Sequence, residues 1–142
     1  MPIVKLVFST PEAAEEAFYR AFVKRDVEAM MAVWADDDNI SCVHPAGHRL
    51  QGQEAVRKSW ERIFEHSPTL DFRITDETHI VDGNIAVHVL NEHIRLGSER
   101  QHQPPVIVTN VYRLGENGWR MVAHHASASR SQGPAPSGVA LH

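Results

Sequence analysis

The dominant spacing of the apolar residues changes at Leu70, and that change limits the folds open to this chain. Over 14–22, 27–34 and 55–64 they recur every three or four positions; from Leu70 onward they recur every second one. A helical period followed by a strand period predicts an α+β domain, with helices packed on one face of a curved antiparallel sheet. Ser9-Thr10-Pro11-Glu12 reads as a helix start, with Thr10 as N-cap and Pro11 in the first turn. Ala14, Ala17, Phe18, Ala21 and Phe22 then form an apolar stripe. Asp26 restarts the pattern for a second helix with Val27, Met30, Met31 and Trp34 inward. Ala55, Val56, Trp60, Ile63 and Phe64 mark a third, closed by Ser67-Pro68.

The strands are expected over 70–81, 85–96, 106–114 and 119–127, with turns at Asp82-Gly83-Asn84 and Gly115-Glu116-Asn117-Gly118. Along 85–96, Ile85, Val87, Val89, Asn91 and His93 share one face, and Ala86, His88, Leu90, Glu92 and Ile94 the other. Residues 3–8 read as an edge strand or lead-in. Residues 1–127 are expected to form a single domain, and the Ser/Pro/Gly-rich stretch 128–142 a tail.

A chain of 142 residues, 42% hydrophobic and 23% charged, can bury one core without staples. The single cysteine, Cys42, lies in an apolar strand and reads as a buried thiol. A net charge of −4 without a Lys/Arg cluster argues against nucleic acid. No apolar run approaches a membrane span, and no secretory pattern opens the chain, so a cytoplasmic protein is expected. The ten histidines show none of the spacings of a helical or zinc-type metal motif, so neither metal nor other cofactor is expected.

Candidate chemistry centres on Trp34–Gly52. A short apolar strand, Ile40 to Val43, runs into His44-Pro45, and the proline biases His44 toward an extended backbone at the strand end. A strand-end imidazole can serve as general base or acid near neutral pH. Asn91 and Asn110 interrupt apolar alternation, and a buried amide must be satisfied, so both are assigned to a cavity with Val89 and Tyr112. Phe18, Trp34 and Trp60 supply its aromatic wall.

The helix ending in VWADD, the strand into HP, the LQGQEAVRKSW helix and the closing pair TNVYRLGENGWRMVAHHAS together resemble the nuclear-transport-factor-two-like superfamily over residues 10–127. That superfamily includes ketosteroid isomerases, SnoaL-like polyketide cyclases and the association domain of calmodulin-dependent kinase. The resemblance implies a cone-shaped curved sheet enclosing a pocket, with three N-terminal helices on its concave face. It implies that His44 stands where the isomerases carry their general-base Asp, and Asn110 where they carry an oxyanion-hole Asp. Their oxyanion Tyr falls on or near Phe18, with Tyr19 one residue off. A Phe cannot donate to an oxyanion and an amide is a weaker donor than a carboxylic acid, so steroid isomerisation itself is not expected. The concave side of the last strand, by the same resemblance, carries Trp119, Met121, Ala123, His125 and Ser127, which makes His125 a charge-stabilising partner and Ser127 a lining residue.

Two functions follow. One is a binder of a small hydrophobic ligand, with proton transfer or hydration by His44 as its candidate chemistry. The other is a dimerisation or assembly module with a vestigial pocket. Both expect a homodimer through the outer face of the sheet, where Ala86, Leu90, Ile94, Ile107, Val111 and Val122 are placed.

Overall fold

The computed structural model describes residues 6–97 and 104–129. Helix α1 (Pro11–Lys24) is opened by Thr10, whose side chain accepts from the Ala13 amide at 3.0 Å. It is closed by Arg25 in the left-handed region, φ 54°. Asp26 caps α2 (Val27–Val33) by accepting from Ala29 N. Such caps satisfy amides that the first turn leaves without partners. Strand β1 (Ser41–Val43) and a two-residue β2 (Leu50–Gln51) precede α3 (Gln53–His66). Four long strands follow: β3 (Leu70–Asp82), β4 (Ile85–Leu96), β5 (Val106–Gly115) and β6 (Gly118–Ala128). The change of period at Leu70 therefore marks the end of the last helix and the start of the four long strands.

The six strands run in the order β2-β1-β6-β5-β4-β3, antiparallel except for β1 beside β6. The sheet is curved and unclosed. The three helices cover its concave face and seal a core that includes Phe18, Met30, Val33, Ile40, Val56, Trp60, Leu90, Val108, Tyr112 and Met121. Burying each such side chain contributes about 1.5–3 kcal/mol. The lead-in expected over 3–8 is described only from Leu6, and it makes a single bridge, Phe8 to Gly118. Residues 130–142, most of the expected tail, lie outside the described residues, as does His102. Among the described residues no helix is long and apolar enough to cross a membrane.

Two face assignments are corrected. On β4 the buried residues are Ala86, His88, Leu90 and Glu92, whereas Val87, Val89 and Asn91 look outward and are half-buried. Both faces of that strand are apolar enough to pass for the inner one, so its alternation alone left the choice open. Pairing decides it: His88 stands opposite the buried Asn110, and Asn91 opposite the exposed Ile107. On β6 the register slips by one residue between Tyr112↔Met121 and Val111↔Ala123, leaving Val122 as an extra residue. A bulge of this kind reverses the parity downstream. Trp119 and Met121 face inward, but so do His124 and Ala126, while His125 and Ser127 are exposed.

Candidate functional site in the concave face

Pairing across the sheet assembles one polar row on its inner side. His79 stands opposite His88, His88 opposite Asn110, Asn110 opposite His124, and His124 beside Cys42. Asn110, His88 and Cys42 have no exposed surface and His124 has 3%. A polar row in such a core must satisfy itself.

Much of it does so through a directed chain of hydrogen bonds. Asn110 donates from Nδ2 to the Tyr19 hydroxyl at 3.3 Å, and Tyr19 donates to Glu92 Oε2 at 2.6 Å. The Asn110 Oδ1 is then the acceptor for His124 Nδ1, 2.6 Å away, which fixes the proton of that neutral imidazole on Nδ1. Burial holds His124 down to about 3, with the charges of His44 and His125 adding to it. Burial lifts Glu92 to about 7 against the Tyr19 hydrogen bond. The chain His124 to Asn110 to Tyr19 to Glu92 thus ends on a carboxyl balanced between its two protonation states at neutral pH.

His44 lies at the other end of the row. Its Nε2 is 3.0 Å from Ser59 Oγ, and Ser59 already donates its one proton to the Val56 carbonyl at 2.7 Å. His44 Nε2–H must therefore be the donor, which leaves Nδ1 with the free lone pair. Burial lowers His44 to about 4, so the ring is neutral at pH 7. It packs edge-on against Trp60 at 4.7 Å between centroids and lies 6.3 Å from the His124 ring. Trp60 itself is fully buried, and its indole Nε1 has no hydrogen-bond partner. Cys42, two residues before His44, has its thiol pushed up to about 12 by burial, which suits a structural thiol and not a nucleophile.

The structure brings together His44, Phe18, Trp60 and, through His124, Asn110 among the residues expected from sequence, whereas Tyr112 lies beside His88, 5.0 Å between rings. Phe18 touches Trp60 at 5.5 Å and His124 at 5.0 Å. Trp34 is separated from them: it ends α2, bridges to Met121 and lines an open groove of about 1090 Å³ shared with Gln53, Arg57 and Arg113. The cavity assignments of Val89, Asn91, His125 and Ser127 fail on geometry, because all four are on the outer side. The Asn91 amide donates to Asp76 Oδ2 at 3.2 Å there, so it needs no cavity to satisfy it. A depression of about 440 Å³ between α1 and β3, floored by Phe72 and Ile74, reaches Tyr19 from the opposite direction.

Tyr19, Glu92, His124 and Ser59 were not among the site residues expected from sequence. Tyr19 and Glu92 would have followed from the right parity of β4, since a buried Glu demands a donor. A second polar group went unseen, Glu12 and Glu15 on α1 with Glu77, His79 and His88. His79 and His88 stack at 3.7 Å, and His88 Nδ1 donates to Glu15 Oε1 at 3.1 Å. Burial disfavours the charged His88 ring, but Glu15, Glu12 and Glu77 outweigh that and raise it. Burial and the neighbouring Glu15 push Glu77 up to about 6.

The model of the SnoaL-like domain matches residues 12–131. A structure from Thiobacillus denitrificans, provisionally named as a calcium/calmodulin-dependent protein kinase type II association domain, is 40% identical with a TM-score of 0.85. It covers 88% of this chain and 99% of its own. A Streptomyces avermitilis protein of the nuclear-transport-factor-two-like family, with the provisional name of dehydratase, is 29% identical with a TM-score of 0.76, over 84% of this chain and 94% of its own. The F-box protein SKIP8 of Arabidopsis thaliana is 27% identical over 111 residues, 78% of this chain; the match spans 46% of that relative's length. With the domain model matched over most of its length and the cone-forming sheet in place, the chain belongs to the SnoaL-like domain family.

Proposed function

We propose that this protein binds a small, largely apolar molecule at the inner end of the cone, and that His44 moves a proton on it. The observation that carries the reading is the pairing of His44 with Trp60. A neutral imidazole with a free Nδ1 sits against a fully buried indole whose N–H has no acceptor. A buried donor without a partner costs about 1–3 kcal/mol, which an acceptor atom of a ligand would recover. A carbonyl oxygen at that N–H would bring the adjacent carbon toward the base, the arrangement needed for proton abstraction beside a carbonyl or for addition of water. The dehydratase name of the relative at 29% identity supports the same chemistry.

The test is a panel of small cyclic ketones and enones, scored by thermal stabilisation and by deuterium uptake from D₂O beside the carbonyl. A compound that stabilises the wild type should still bind His44→Ala within about tenfold, ~1.4 kcal/mol, while deuterium uptake is lost. Trp60→Phe, which keeps a six-membered aromatic ring but removes the pyrrole half of the indole with its N–H, should weaken binding. Equal losses of affinity and exchange in His44→Ala would refute the base assignment. A panel, including any molecule that co-purifies, that never stabilises the wild type would refute the pocket.

A second reading has its own observation. On the outer face Ile80, Val87, Val111 and Ala123 form one apolar rung across four strands, with Ile80 62% exposed and Ile107 nearby 44% exposed. An exposed apolar sheet face needs a cover, and the relative at 40% identity is named as an association domain. A homodimer through this face is compatible with either function, and cytoplasmic residence is retained as part of the proposal.

A further inference from the structure

We propose that Glu15, Glu77, His79 and His88 form a binding site for a divalent first-row transition-metal ion such as Zn²⁺. One donor atom from each of the four lies within 4.8 Å of the others. They come from three elements: Glu15 from α1, His88 from the inner row of β4, and Glu77 and His79 from β3. The last two reach the cluster because of a bulge. Leu70, Phe72 and Ile74 face the core, and unbroken alternation would continue with 76 and 78. The register shift between Thr75 and Thr78, with Asp76 at φ 53°, turns Glu77 and His79 inward instead. Bulges re-aim side chains in this way, typically beside functional sites.

The donor set is two imidazole nitrogens and two carboxylate oxygens, which suits zinc and its neighbours more than the all-oxygen shells of magnesium or calcium. A purely ionic account fits less well. Three carboxylates, those of Glu12, Glu15 and Glu77, surround two imidazoles stacked face to face at 3.7 Å, so protonating both rings would press two cations together. A divalent ion supplies the same charge without that contact. An independent sign of a missing partner is His88 itself. It has no exposed surface, and its Nε2 lies 3.4 Å from Glu12 Oε2 without a hydrogen bond. The Tyr112 hydroxyl, on a ring 5.0 Å from His88, is also buried without a partner. Because imidazoles bind metals in the ring plane, the stacked pair must turn apart on binding. His79, whose side chain is 31% exposed, is the ring free to do so.

The test is calorimetric titration of EDTA-treated, dialysed full-length protein with ZnCl₂, paired with thermal unfolding. One saturable equivalent is expected, together with a Zn²⁺-dependent rise in Tm that MgCl₂ does not reproduce. His79→Ala should weaken the affinity at least on the order of 100-fold, since even residues that only orient ligands contribute 10–100-fold. Glu77→Gln should weaken it as well. His48→Ala, at an exposed histidine outside the cluster, should leave it unchanged. His79→Ala and Glu77→Gln change partly exposed side chains, and each variant's unfolding in EDTA shows whether it folds. Absence of saturable binding, an equal response to Mg²⁺, or wild-type affinity in both variants would overturn the site.

Discussion

Asn110 and His124 face each other across β5 and β6 with 2.6 Å between Oδ1 and Nδ1. This contact sets the direction of the whole interior chain, because an amide that accepts at Oδ1 must donate at Nδ2, here to Tyr19. Reversing the amide would aim its N–H at the imidazole and leave Tyr19 facing a carbonyl. The hydrogen bonds from His124 through Asn110 and Tyr19 therefore run in one direction, and the Glu92 carboxyl at their end is the group with two protonation states near neutral pH.

Tyr19 is the link on which the chain depends. Tyr19→Phe removes the donor to Glu92 and the acceptor for Asn110 in a buried setting. It should cost about 1–3 kcal/mol in urea unfolding. A variant as stable as wild type would mean that the chain carries no net stabilisation.

Glu92 gives a prediction with a sign. Its folded value, about 7, lies above the ordinary 4.5, so the native state holds the proton that the unfolded chain releases. That contribution to stability is complete below about pH 4.5 and is lost as pH rises through 7. His44 and His124 act oppositely: with folded values of about 4 and 3 against 6.5, their contribution is complete above 6.5 and lost as pH falls. Glu92→Gln should therefore gain on the wild type by up to about 3 kcal/mol between pH 4.5 and pH 8. A pH-independent difference between the two proteins would contradict the buried carboxyl.

Gly118 opens β6 at φ 83°, and a Cβ there would lie 2.5 Å from the Phe8 carbonyl oxygen, which accepts from Trp119 N at 2.8 Å. Gly118→Ala should destabilise by about 1–3 kcal/mol or more. Gly115→Ala, where an added Cβ meets nothing within 4 Å, should be close to neutral. Similar melting temperatures for the two variants would show that the Phe8 bridge does not constrain this turn.

The outer rung predicts the effect of a charge. Val87→Asp places a carboxylate between Ile80 and Val111. Sedimentation should show a dimer for the wild type and a folded monomer for the variant. A wild-type monomer at tens of micromolar would sink the proposed interface.

The elements were legible in the sequence because caps and periods are local properties. Thr10, Asp26 and Leu70 each mark a boundary by their own chemistry. His44 and Asn110 were legible as interruptions of apolar runs. What was hidden is what pairing decides. Val122 looks like any strand residue, yet as the extra one it exchanges His125 for His124 inside the cone. Asp76 hides a second bulge that carries Glu77 and His79 inward. Asn91 and Glu92 are adjacent, and only the partner strand tells which of them is buried.

Native mass spectrometry of freshly purified protein, followed by denaturation and extraction, tests the proposed pocket. The wild type should hold a small, largely apolar molecule, with occupancy reduced in Trp60→Phe. A wild-type protein that carries no such molecule, and acquires none when mixed with the ketone panel, would contradict the pocket and leave assembly as its function.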